Sequence, residues 1–150
     1  DETGRLWVHQ IQLTIADLVV EAHDTHHPLG PGAYYEEMKE EAKTRSEAFR
    51  AERLPKFLGW FETLIERNPE NGGWLAGEGL SYADLSLFHT VEGLRHAFPK
   101  AMAAVQDDYP GVFALADRVA ARPAIAAYLE SDRRQPFSNG LFRHYPELDA

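Results

Sequence analysis

The residues best equipped for chemistry crowd together early in the chain: Glu21, His23, Asp24, His26 and His27. Imidazoles and carboxylates are ligands that borderline divalent metals accept. The run His-Asp-Thr-His-His matches no standard zinc spacing, however, and the chain has no Cys to complete a thiolate site. Imidazoles beyond a helix C-terminus also suit the negative end of its dipole. Solvated loop histidines are therefore expected here, and no metal. A second candidate is Asp17. Four residues to either side stand Leu13 and Glu21, so no local cation pairs with it. It is either a solvated helix carboxylate or the partner of a charge from elsewhere. A third is Ser81 with Asp84. Ser-x-x-Asp is a shortened capping box, in which the hydroxyl serves the amide of Asp84 and the carboxylate reaches back to the amide of Ser81. Leu80 and Leu85 flank the pair at the spacing of a hydrophobic staple. Such a pair starts a helix and carries no reaction.

Helices must position these side chains, because the apolar period is helical and no run alternates as a strand does. Trp7, Ile11, Ile15, Leu18 and Ala22 recur at intervals of three and four, which predicts a helix over about Arg5 to Ala22 with that stripe buried. A second stripe, Leu6, Gln10, Leu13, Asp17 and Val20, mixes polar with apolar and suits a face that lines a cleft or an interface. Pro28, Gly30, Pro31 and Gly32 mark a loop over 23–32. Tyr34 to Arg53 reads as a charged helix supported by Glu41 and Arg45. Leu54, Phe57, Leu58, Phe61, Leu64 and Ile65 continue the helical pattern to about Asn68, and Pro55 within it predicts a kink or a break. Asn71-Gly72-Gly73 reads as a turn. Further helices are expected over Tyr82 to Ala97, Lys100 to Gln106, Gly111 to Ala121 and Pro123 to Leu129. Pro123 suits a first turn, where no amide hydrogen is needed. The expectation is one all-α domain over residues 1–150, a bundle of about five to six helices, with 131–150 as an irregular tail.

Composition narrows the partners. With 150 residues, 44% of them hydrophobic, the chain is long enough to bury a core. Its 15 basic against 24 acidic residues give a net charge of −9, which repels phosphate backbones and anionic lipid heads. Nucleic acid and membrane partners are not expected, and no apolar run approaches the roughly 20 residues of a bilayer span. The lack of Cys removes disulfides and a cysteine nucleophile, and it suits a reducing compartment. The start at Asp1 has neither Met nor a signal-peptide pattern and reads as the start of a fragment.

The most informative string is Gly77-Glu78-Gly79-Leu80-Ser81-Tyr82-Ala83-Asp84-Leu85. It resembles the capping box and staple of the glutathione transferase C-terminal domain, with Gly77, Leu80, Ser81, Asp84 and Leu85 matching in order. Arg53 to Glu62 resembles the kinked helix that precedes this box in bacterial sigma-like transferases, and Ala121 to Leu129 is similar to the family's closing helices. The likeness runs over essentially the whole chain. It implies a helical half without the thioredoxin-like N-terminal domain. That domain holds most of the glutathione site and the Tyr, Ser or Cys that stabilises the attacking thiolate.

The resemblance thus implies a parent enzyme that is a cytoplasmic, homodimeric glutathione transferase of detoxification. Glutathione is its co-substrate and a small electrophile its substrate. This segment is expected to hold no catalytic residue and to be inactive alone. The resemblance assigns Asp17 to the glutathione amino group of the neighbouring subunit, although the sigma pattern often has a second acid where this chain has Ala16. It makes Gln10, Leu13 and Val20 candidates for the substrate wall and Ser86 a pocket-facing position. Phe137, Leu141 and Phe142 become candidates to fold over the site. The alternative is a non-catalytic transferase-like domain used for assembly, since fold alone does not decide function.

Overall fold

Asp1 opens the first helix: its carboxylate accepts the amide of Gly4 at 2.7 Å, one of the orphan donors of a helix start. In the computed structural model, which describes residues 1–70 and 72–150, helix α1 runs Glu2–Asp24. Ile11, Ile15, Leu18 and Ala22 are buried as their spacing predicts. Trp7, the first member of that stripe, stays 39% exposed over a shallow recess that Leu64, Asn68 and Leu75 also line.

The charged stretch that follows begins later than its composition predicts. Tyr35–Glu37 is a 3-10 turn, and helix α2 spans Lys39–Ala48. Pro55 bends the chain without breaking it. Ahead of the proline the backbone widens into a π-helical turn, Phe49–Arg53, which runs directly into α3, Leu54–Arg67. A π turn relaxes the hydrogen-bond ladder that a proline interrupts.

The loop before the next helix is tied down from three sides. Asn68 Nδ2 donates to the carbonyls of Trp74 at 3.0 Å and Gly77 at 2.8 Å. Arg118 stacks 3.9 Å from the centre of the Trp74 ring and donates to the carbonyls of Gly72 and Gly73. Of the turn expected at Asn71-Gly72-Gly73, Asn71 lies outside the described residues. Gly73 has a φ of 65°, a conformation that glycine adopts freely.

Helix α4, Tyr82–Ala97, keeps the bounds read from the sequence and forms the centre of the bundle, packing on α1 and on α6. Helices α5, Pro99–Val105, α6, Pro110–Ala120, and α7, Pro123–Leu129, each begin at a proline. The described residues form seven α-helices and no strand, or six if α2 and α3 count as one bent helix.

The tail is irregular but fixed. It ends in a 3-10 turn, Pro146–Leu148. Ser46 donates to the carbonyl of Leu148 at 2.6 Å, and Tyr35 donates to Glu147 at 2.9 Å. The Asp149 carboxylate accepts the amides of Lys100 at 2.7 Å and Ala101 at 3.0 Å, capping α5 from the end of the chain.

Candidate functional site

Where α1 and α4 pack together, their outer edges leave a groove of about 570 Å³. Gln12, Ile15, Ala16, Val19 and Val20 line it from α1, and Leu85, Ser86, His89 and Thr90 from α4. On both helices these positions recur at helical spacing, so each helix presents one continuous edge. Small side chains at Ala16, Ser86 and Thr90 leave the room, and the Thr90 hydroxyl is satisfied by the Ser86 carbonyl at 2.8 Å. A second recess of about 330 Å³ adjoins it, lined by Phe88 and Glu92 of α4, Ile125, Tyr128 and Leu129 of α7, and Arg134 and Phe137 of the tail. Leu85 and His89 belong to both. The two recesses therefore make one largely apolar trough.

His89 is the titratable group where the recesses meet. Burial holds its pKa below the usual imidazole value, Arg134 adds to the shift and Glu92 opposes it. Its ring lies 5.6 Å from that of Phe137. At neutral pH it is a neutral group with one donor and one acceptor nitrogen. In the sequence the one signal for His89 is its spacing from Leu85 and Ser86, which puts all three on the same side of one helix.

The residues singled out from the sequence divide into three groups. Val20 and Ser86 line the groove. Gln10, Leu13 and Asp17 lie exposed on α1, outside the lining of both recesses, with Leu13 54% exposed. Phe142 is buried, its ring occupying the space beside Gly93 on α4 where any side chain would stand. It anchors the tail, while Phe137 reaches the trough and Leu141 stays exposed.

Ser81 and Asp84 form their capping box at the start of α4. The fully buried Asp84 carboxylate accepts the Ser81 amide and hydroxyl, each at 2.7 Å, and also the amide of Leu75 at 2.9 Å. One side chain thus starts the helix and fixes the loop before it. The histidines beyond α1 are not the solvated imidazoles expected of a loop: His26 is 1% and His27 9% exposed.

With this geometry in hand, the comparisons with known proteins are specific. A family model described as the glutathione S-transferase C-terminal domain matches residues 23–132. The chain belongs to that family. Glutathione S-transferase P 1 of Xenopus laevis is 32% identical over 81 residues, which cover 54% of this chain and 36% of that protein. The protein of the same name from Bufo bufo is 33% identical over 79 residues, 53% of this chain and 36% of its own length. A glutathione S-transferase of Plasmodium yoelii yoelii is 32% identical over 60 residues, 40% of this chain and 28% of its own length. The chain thus spans about a third of the length of the curated relatives it matches. Among solved structures, that of NaGST-2 superposes with a TM-score of 0.61 over 91% of this chain and 61% of that one; at 22% identity this establishes the fold. Within this glutathione S-transferase C-terminal domain, the family match includes α4 and α7, whereas the α1 wall of the trough and Phe137 lie outside it.

Proposed function

We propose that this domain binds the electrophilic substrate of a glutathione transferase, with the conjugating thiolate supplied from a thioredoxin-like domain. The observation that carries the reading is the apolar trough between α1, α4 and α7, of a size suited to a small apolar molecule. In this reading Val20, Leu85 and Ser86 contact the electrophile, Phe137 covers its far end and His89 hydrogen-bonds a polar substituent.

The exposed stripe on α1 has a separate role. Leu6 and Leu13 are each more than half exposed, an apolar edge that suits contact with a second copy in a homodimer. Asp17 on the same helix, with Gln10 nearby, then meets the amino group of glutathione held by the partner subunit. The bacterial sigma-like subclass rests on this reading of Asp17 and on the bent α2–α3 helix; the relatives from Xenopus and Bufo carry the name P 1. No described helix is long and apolar enough to cross a membrane. The cytoplasm is the compartment we assign, on the family resemblance.

The test is kinetic and uses the full-length protein with its upstream domain. Ser86→Phe fills the groove, so KM for an apolar electrophile such as a chlorinated nitrobenzene is expected to rise about five- to tenfold while KM for glutathione holds. Equal changes in both constants, or none, would remove the trough from the substrate site. A folded full-length protein with no turnover would instead favour the assembly-domain alternative.

A further inference from the structure

Outside the trough, three imidazoles converge at the end of α1. After Asp24 the backbone continues for one more turn, held by the amides of Thr25 on the Ala22 carbonyl at 3.3 Å and His26 on the His23 carbonyl at 3.2 Å. Thr25 reinforces the turn by donating its hydroxyl to Ala22 at 2.7 Å. Positions 23, 26 and 27 thereby keep helical spacing and share one face. The ring centroids form a nearly equilateral triangle, 4.9 Å from His23 to His26, 5.0 Å from His23 to His27 and 4.8 Å from His26 to His27. One ligand nitrogen from each ring lies within 4.8 Å of the others. We propose that His23, His26 and His27 form a divalent-cation site of the zinc type, with three imidazole ligands and an exchangeable fourth position.

The hydrogen bonding points the same way. His26 Nε2 lies 3.1 Å from the carbonyl of Leu141, a contact that requires the proton on Nε2 and leaves the lone pair on Nδ1. That Nδ1 is buried without a partner, and so is Nδ1 of His27. Buried polar atoms are ordinarily paired, so two orphaned nitrogens in one cluster call for a shared partner, which a cation supplies. A carbonyl behind a ligating imidazole is the usual outer-shell arrangement of a metal site. His23 Nδ1 faces Asp24 Oδ1 at 3.4 Å, leaving its Nε2 for the ion.

Zinc–nitrogen bonds of about 2.0–2.1 Å place tetrahedral ligands roughly 3.3 Å apart, so closure takes modest ring rotations. His23 is 26% exposed and gives the ion access.

The test starts from chain stripped with chelator, titrated with zinc chloride by calorimetry and with cobalt chloride by visible absorption. The expected result is one zinc equivalent bound and intense cobalt bands of tetrahedral type. H23Q changes a partly exposed ring and spares the fold; its zinc affinity should fall at least about tenfold, and that of H26Q or H27Q about a hundredfold. The pair His96 and His144, whose rings lie 6.2 Å apart, serves as the control, and H96Q should bind as wild type does. Helical circular dichroism checks folding; if H26Q does not fold, H23Q decides alone. Binding only at large excess of zinc, or equal affinity in H23Q, would overturn the proposal and leave a packed histidine cluster.

Discussion

Asp84 and Asp17 are both acids on long, well-formed helices, yet their surroundings are opposite. Asp84 is fully buried and accepts three hydrogen bonds from Ser81 and Leu75. Asp17 is exposed on α1 between Leu13 and Glu21. Glu21, one turn on, has found its cation: Arg53 of the π turn donates to both carboxylate oxygens, at 2.8 and 2.7 Å. Those bonds hold Glu21 below the usual carboxylate pKa, against a desolvation cost. Asp17 has no such neighbour on its own helix. A carboxylate satisfied inside the chain explains the fold; one left facing solvent is available to a second molecule.

The comparison breaks most decisively at Asp84. Replacing it by Ala leaves the amides of Leu75 and Ser81 without their acceptor. Hydrogen bonds to a charged group contribute about 1.5–3 kcal/mol each, so losing the two amide bonds is expected to cost about 3–6 kcal/mol. Urea unfolding followed by circular dichroism measures it. A loss under about 1 kcal/mol would mean that the box is incidental and that α4 is held by packing alone.

Gly93 gives the intermediate case. A β-carbon there would overlap the Phe142 ring, so Gly93→Ala must displace the anchor of the tail. Overpacking of this kind costs about 1–3 kcal/mol. Pairing it with Phe142→Ala should cost less than the sum of the two single changes, because the clash disappears with the ring. Strict additivity in a thermodynamic cycle would show that the tail does not bear on α4 as described.

These residues also mark what is legible in the sequence. The bounds of α4 and α7 coincide with those read in advance, because a capping box and a first-turn proline are local signals. The caps of α5 and α6 are not local. Glu62 of α3 accepts the amides of Gly111 at 2.8 Å and Val112 at 2.9 Å, and Asp149 does the same for α5 from the far end of the chain. Nothing near Glu62 or Asp149 in sequence announces those bonds. The same holds for the histidines, whose spacing is visible but whose burial depends on Leu141, 115 residues from His26. In the trough, Val20 is legible from its helical stripe and Ser86 from the family resemblance alone. Phe142 is not, because an aromatic residue in a tail serves equally as lid or anchor until Gly93 is seen opposite it.

The smallest expected effect on stability, and the most informative on function, belongs to Asp17→Asn. The substitution keeps the shape and removes the charge of an exposed side chain with no ion pair among the described residues to lose, so unfolding free energy should stay within about 0.5 kcal/mol of wild type. Glutathione binding should respond differently. In the proposed dimer, the proposed charge-assisted bond from Asp17 to the ammonium of glutathione would be worth roughly 1.5–3 kcal/mol, which corresponds to a ten- to hundredfold loss of affinity. The loss should shrink as salt is raised, because an exposed pair is screened. Asp17→Glu keeps the charge on a longer stem and should recover part of the affinity, which a purely structural role would not predict. The measurement is glutathione titration of the three proteins at matched ionic strength. If all three bind alike, Asp17 is a solvated carboxylate, and the contrast with Asp84 reduces to burial, with no second molecule required to explain it.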